Sequence, residues 1–296
     1  MTMPPLWRLA RELRARPVAI EPRAFAAIDS QLAAAIEGRL AGLKAAHDYY
    51  EDNEDEDGKP KEIPLPPLYV LRSDGVAVIN LHGICGRHLS HIAMACGGCD
   101  VDRLREAFAA ADADLAARAI VLDVDSPGGA VAGVAECAEA VARVEKPCIA
   151  YAADQCASAA YWIASQADAL IVGPTADIGS VGVYCALLDE SRAYDAKGLK
   201  VEMLSSGANK GVGYPGTALT DEQRATLQGQ VDYVAELFKA AVLKGRAGDE
   251  PSADILDGRC LVGGLAVEAN LADGVGDMEA AVSLALTMAA TKQEIP

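Results

Sequence analysis

Residues 119–129 read Ala119-Ile120-Val121-Leu122-Asp123-Val124-Asp125-Ser126-Pro127-Gly128-Gly129. A short aliphatic run closed by Ser-Pro-Gly-Gly is the pattern of a buried strand that ends in a tight turn, and it predicts a strand over Ala119–Val124. Outward from it the same alternation repeats. Val76–Leu81, Pro147–Tyr151 and Ala169–Val172 read as strands, and Val101–Ala113, Val131–Val144 and Ser158–Ala167 as Ala-rich helices. Lys200–Leu204 is strand-like. A longer helix is expected over Thr220–Lys244, because Thr220 followed three residues later by Gln223 makes a capping box. Strands that alternate with helices predict an α/β domain with mostly parallel strands.

Upstream of Leu68 the pattern changes. Phe25, Ile28, Leu32, Ile36, Leu40 and Leu43 recur at spacings of three and four, and Pro22 can open a helix, so residues 1–50 read as a helical appendage. Residues 51–58 hold six acidic side chains and are followed by Pro60, Pro64, Pro66 and Pro67, which reads as a solvated linker over 51–67. The main domain is then 68–296.

The whole chain of 296 residues carries 26 Lys+Arg against 43 Asp+Glu, a net charge of −17. That balance excludes a broad nucleic-acid or anionic-membrane surface, since both need clustered Lys and Arg. About a third of the excess sits in the linker, so the main domain is less acidic than the total implies. The uncharged run Ala280–Thr291 has 12 residues, too few to span a bilayer. The first residues, with Glu12 among four arginines, lack the apolar core of a secretory signal. Eight cysteines without a repeating framework read as reduced thiols, and the expected setting is the cytoplasm, without a membrane or nucleic-acid partner.

Three small-residue segments could carry chemistry. At Asp125-Ser126-Pro127-Gly128-Gly129, glycines would leave backbone N–H groups unshielded, as a developing oxyanion requires, although an ordinary βα turn would look the same. At Ala157-Ser158-Ala159-Ala160-Tyr161, a serine heads a helix, where its everyday role would be an N-cap. At Ser206-Gly207-Ala208-Asn209-Lys210-Gly211, one lysine stands among small residues. It reads as a surface charge unless burial keeps its amine neutral enough to act as a base.

In combination, and with Asp177-Ile178-Gly179-Ser180-Val181-Gly182-Val183 between the second and third, these segments resemble the signal peptide peptidase A family of Ser-Lys serine peptidases. The closing stretch Asp257-Gly258-Arg259, Ala266 and Leu271-Ala272-Asp273-Gly274-Val275-Gly276 is similar to that family too. Within it, the likeness is greatest to phage and prophage capsid (head maturation) proteases. The resemblance implies a crotonase-like (ClpP-like) ββα superhelix and a serine endopeptidase. It implies Ser158 as nucleophile, Lys210 as general base and Ser180 as the group that orients the lysine. It further implies an oxyanion hole from the amides of Gly128 and Ala159, no cofactor, a homo-oligomer, and phage scaffold or capsid polypeptides as substrate.

Rival readings are a cellular signal-peptide peptidase, a crotonase-type acyl-CoA enzyme and a non-catalytic capsid assembly factor. His47, His82, His88 and His91 all precede Ser158, which excludes a ClpP-like triad, whose histidine follows the serine. His82, Cys85, His88, His91, Cys96 and Cys99 have zinc-like spacing in part, but a Ser-Lys dyad needs no metal and none is expected. Cys156, Tyr161 and Trp162 read as core, and Asp125 as turn chemistry.

Overall fold

The computed structural model of the protein describes residues 18–20, 65–95 and 97–293. The helix expected from Pro22 to Leu43 and the acidic run 51–58 lie outside these residues. Within the stretch expected to be a helical appendage, Val18–Ile20 is a strand, β1.

The centre of the fold is a set of parallel strands: β3 (Val76–His82), β6 (Ala119–Ser126) and β8 (Cys148–Ala157). Their register runs from Val76 opposite Ala119 to His82 opposite Asp125, and from Ile120 opposite Cys148 to Val124 opposite Ala152. A short β2 (Val70–Leu71) closes one edge antiparallel to β3. Beyond Val124 the register shifts, so that Ser126 pairs with Cys156. The bulge lets β8 serve two neighbours. Its first half pairs with β9 (Ala169–Val172), and its last residues pair with β10 (Asp177–Gly179). β10 is flanked in turn by the antiparallel β11 (Cys260–Val262), while β12 (Gly274–Val275) extends β9.

The quoted stretch explains why this sheet is buried on both faces. Ile120, Leu122 and Val124 of β6 enter one core, and Ala119 and Val121 enter another. Strands of a parallel sheet are covered twice and so read as nearly continuous apolar runs. On the first face lie α2 (Val101–Ala113), α3 (Val134–Ala142) and α4 (Ala159–Ala164). Helix α2 turns Val101, Leu104, Ala107, Phe108 and Ala111 inward, and Asp100 caps it by accepting from the amides of Asp102 and Arg103. The second face is sealed by α8 (Met278–Gln293) through Ala281, Val282, Ala285 and Ala289. Among the described residues no helix is long and apolar enough to cross a membrane.

After β3 and after β6 the chain turns a corner into a second, smaller sheet of order β1-β7-β4-β5 before a helix returns. β4 (Ile84–Gly86), β5 (Gly98–Asp100) and β7 (Gly128–Ala130) have three residues each, and the short α1 (His91–Ala95) precedes β5. This strand–strand–helix winding is the ββα superhelix expected from the resemblance. The corners are tied together: the amide of Gly83 donates to the carbonyl of Asp125 at 2.8 Å, and Ser126 Oγ donates to the carbonyl of Gly83 at 2.5 Å.

The strand expected at Lys200–Leu204 is absent; the segment is coil. It pairs with no neighbour, and extended backbone without a partner strand is not held as sheet. Between β10 and the long helix α6 (Asp221–Gly245) lie α5 (Ser191–Ala196), an isolated bridge residue at Tyr184, coil and turns. The capping box of Thr220 and Gln223 is present. Of α6's 25 residues Phe238 and Val242 are buried and Val234, Ala241 and Leu243 pack partly on the core, while its first turns are mostly exposed among the described residues. α7 (Gly264–Glu268) joins β11 to the closing segment.

Candidate active site

Ser158 stands where β8 becomes α4. Its backbone has φ 57° and ψ −122°, a conformation an L-residue holds only when its surroundings impose it. Two hydrogen bonds do so: its amide donates to the carbonyl of Gly179 at 2.7 Å, and its carbonyl accepts from the amide of Trp162 at 2.9 Å. The residue is 1% exposed, and its hydroxyl has no hydrogen-bond partner among the described residues. Leaving a buried hydroxyl unpaired costs on the order of 1–3 kcal/mol. Ser158 heads the helix as expected but does not cap it. Its Oγ is kept free.

Ser180 is brought to its side. Gly179 pairs with Ala157, so Ser180 and Ser158 are the next residues of adjacent parallel strands, and both have positive φ. Ser180 is buried, and its amide donates to the carbonyl of Arg259 at 2.8 Å. This places the Asp257-Gly258-Arg259 turn against the site. The Arg259 guanidinium beside Asp257 draws that carboxyl down to about 2.

The two glycines of the quoted stretch are needed for different reasons. Gly128 has φ 90°, and its amide donates to Ser126 Oγ at 3.1 Å. At Gly129 a Cβ would lie 2.0 Å from the carbonyl oxygen of Cys85, because β4 crosses there in backbone contact. Gly129→Ala is expected to destabilise the fold by about 3 kcal/mol or more, measured by urea unfolding, since backbone atoms must move to admit the methyl. The amide of Gly128 thus points at Ser126 in this structure. Ala159 opens α4, where the first amides of a helix lack intrahelical acceptors.

Ser126 is the residue that sequence reasoning missed. It is fully buried, it bridges Gly83 to Gly128, and Cys85 Sγ lies 3.7 Å from its Oγ. The signal was its place in the Ser-Pro-Gly-Gly corner, where the reading weighed the glycines and Asp125 and gave Ser126 no role of its own.

Lys210 is exposed, in a turn whose backbone is closed by its own amide donating to Gly207. That turn is tied to α6 by Gln223 Nε2 donating to the carbonyl of Ala208 at 2.7 Å. Within the single chain, therefore, the lysine makes no hydrogen bond to Ser158 Oγ. The arm that carries it leaves Leu188 81% and Leu204 92% exposed, with Leu199 and Tyr214 also outward.

Other sequence candidates are placed elsewhere. His82 Nε2 lies 3.1 Å from Asp123 Oδ2, and that hydrogen bond raises its pKa. Cys156 is buried in apolar surroundings that push its thiol up, and Tyr161 and Trp162 are core. Cys85 and Cys99 face each other across β4 and β5, both buried. Among the described residues no group of three His, Cys, Asp or Glu side chains could hold a metal ion.

Residues 140–292, which include Ser158, Ser180 and Lys210, match the model of peptidase family S49. The chain belongs to peptidase family S49. It is 39% identical over 125 residues to the capsid assembly protease C of Escherichia phage lambda, covering 42% of this chain and 28% of that one. It is 30% identical over 218 residues to the head-tail preconnector protein GP5 of Enterobacteria phage P21, covering 72% and 43%. To a putative signal peptide peptidase SppA of Enterococcus faecium it is 30% identical over 173 residues, covering 57% and 50%. The chain spans half or less of the length of these curated relatives.

Proposed function

We propose that this S49 chain is a serine endopeptidase in which Ser158 is the nucleophile and Lys210 the general base. One observation carries the reading: a serine hydroxyl is buried, strained and unpartnered at the head of a helix, beside Ser180. A hydroxyl kept without a partner at such a cost is available to attack. Neutral Lys210 would take the Ser158 proton as Oγ adds to the scissile carbonyl. The amides of Ala159 and Gly128 would hold the oxyanion, the latter once released from Ser126, at a few kcal/mol per donor. Lys210 would return the proton to the leaving amine, and water would then hydrolyse the acyl-enzyme. Ser180 would orient the lysine. No cofactor enters these steps.

The apolar arm around Lys210, exposed among the described residues, supports a homo-oligomer, in which a second copy covers the arm and brings the base to Ser158. The substrate is an extended polypeptide. The names of the two phage relatives favour scaffold or capsid proteins during prohead maturation, in the cytoplasm of the host cell.

A fluorophosphonate probe is expected to label the full chain on Ser158, mapped by mass spectrometry, and co-expressed capsid proteins of the same phage to be cut. Labelling that persists in Ser158→Ala would sink the assignment. Acyl-CoA turnover by that variant would favour the crotonase-type chemistry instead, and intact capsid proteins a role in assembly alone.

A further inference from the structure

β7 is the strand that leaves the Ser-Pro-Gly-Gly corner, and one of its edges is taken by β4. The other edge is taken by β1, which runs antiparallel with Val18 opposite Ala130, Ala19 opposite Gly129 and Ile20 opposite Gly128. β1 is therefore directed along β7 toward its corner end. There Ser126 pairs with Cys156, two residues before Ser158, so Ile20 is the residue of the segment nearest the nucleophile. Without β1, β7 would present a free edge at Gly128, Gly129 and Ala130, with no side chain on the two glycines to hinder a guest backbone. Such an edge beside a hydrolytic serine is where an extended polypeptide would be laid as an added strand. Pro17 and Pro22 flank the segment in the sequence and have no N–H to give a ladder.

We propose that Val18–Ile20 is an internal competitor, an extended segment of the chain's own N-terminal region seated on the strand edge that a polypeptide substrate must use. This rests on the peptidase reading above. A tethered segment acts at an effective concentration on the order of millimolar, enough to hold a weak subsite against dilute substrate. Substrate would have to displace it, and a chain whose segment is drawn elsewhere by a partner would be the more active form.

The test uses the full chain. In an antiparallel pair, residues that bond the partner alternate, so either Ala19 or both Val18 and Ile20 turn their N–H groups to β7. Ala19→Pro and the double variant Val18→Pro/Ile20→Pro together remove the ladder in either case. In a Ser158→Ala background, where nothing is cut, deuterium exchange at the amides of Gly129 and Ala130 is expected to be slow. It should quicken about 10-fold in one of the two variants, in line with that effective concentration. A synthetic peptide of residues 14–23 should restore the protection. With Ser158 present, the same variant should cut unfolded casein about 10-fold faster at low substrate. Unchanged exchange in both variants, or faster exchange without faster cleavage, would overturn the competitor. Absence of both cleavage and fluorophosphonate labelling in every form would overturn the peptidase reading and the competitor with it. Labelling together with unchanged exchange would overturn the competitor alone.

Discussion

Ser158→Ala is expected to abolish cleavage, a fall of about 10⁴-fold or more in kcat/KM, and at the same time to make the chain more stable. The two effects share one cause. The hydroxyl is buried without a partner, so removing it deletes the reacting atom and also relieves an unsatisfied polar group, a gain of about 1 kcal/mol. Ser158→Gly should be more stable still, because φ 57° is strained for any residue with a Cβ. Lys210→Ala should lose about 10³-fold or more in kcat with no gain in stability, since the side chain is exposed. Lys210→Arg should not rescue it, because a guanidinium does not surrender its proton near neutral pH. Urea unfolding and peptide-cleavage kinetics on the four proteins settle the matter. A destabilised Ser158→Ala, or an active Lys210→Ala, would refute the assignment.

Much of this was readable beforehand, for a physical reason. Elements whose stability comes from burying their own apolar pattern appeared where expected, α2 over Val101–Ala113 and β9 over Ala169–Val172, and α6 was marked by its capping box. Elements that exist only because another segment lies alongside were not readable. β4, β5 and β7 are three-residue segments that each hold glycine, too short to signal a strand by themselves and made into strands by pairing across the corner. Val18–Ile20 sat in a stretch read as helix and became a strand because β7 offered an edge. Lys200–Leu204 shows the converse, a strand-like pattern left as coil for want of a neighbour. The site divides in the same way. Ser158 heads its helix as its motif suggested, whereas Ser180 is set beside it by β10, a strand not expected from the sequence. The place of Lys210 was not legible in its motif, because the arm that carries it leaves its apolar side chains exposed among the described residues.

The largest loss of stability is expected at a pair far from the nucleophile in sequence. Arg246, at the C-terminal end of α6 and 7% exposed, grips Asp273 with two bonds: Nη1 donates to Oδ2 at 2.5 Å and Nη2 to Oδ1 at 3.0 Å. Its Nε donates to the carbonyl of Asn270 at 3.1 Å, and Asp273 Oδ2 also accepts from the amide of Leu170 at the head of β9. The same closing segment accepts the Tyr161 hydroxyl on the carbonyl of Leu271, at 2.8 Å. Trp162 stacks on Phe238 of α6 with ring centroids 4.7 Å apart. One charge pair thus fastens α6, β9 and the helix that carries Ser158 to a single point. Asp273→Ala leaves a guanidinium buried without its counter-charge and should cost about 3–5 kcal/mol. Arg246→Met, which removes the charge and keeps the volume, should cost clearly less, and Asp273→Ala/Arg246→Met should recover part of the loss. Urea midpoints of the three variants measure this. Since Tyr161 of α4 donates to Leu271, two residues from Asp273, residual folded Asp273→Ala should label more slowly with a fluorophosphonate than the parent chain. Equal midpoints and equal labelling rates would show that the closing segment is held by its backbone bonds alone.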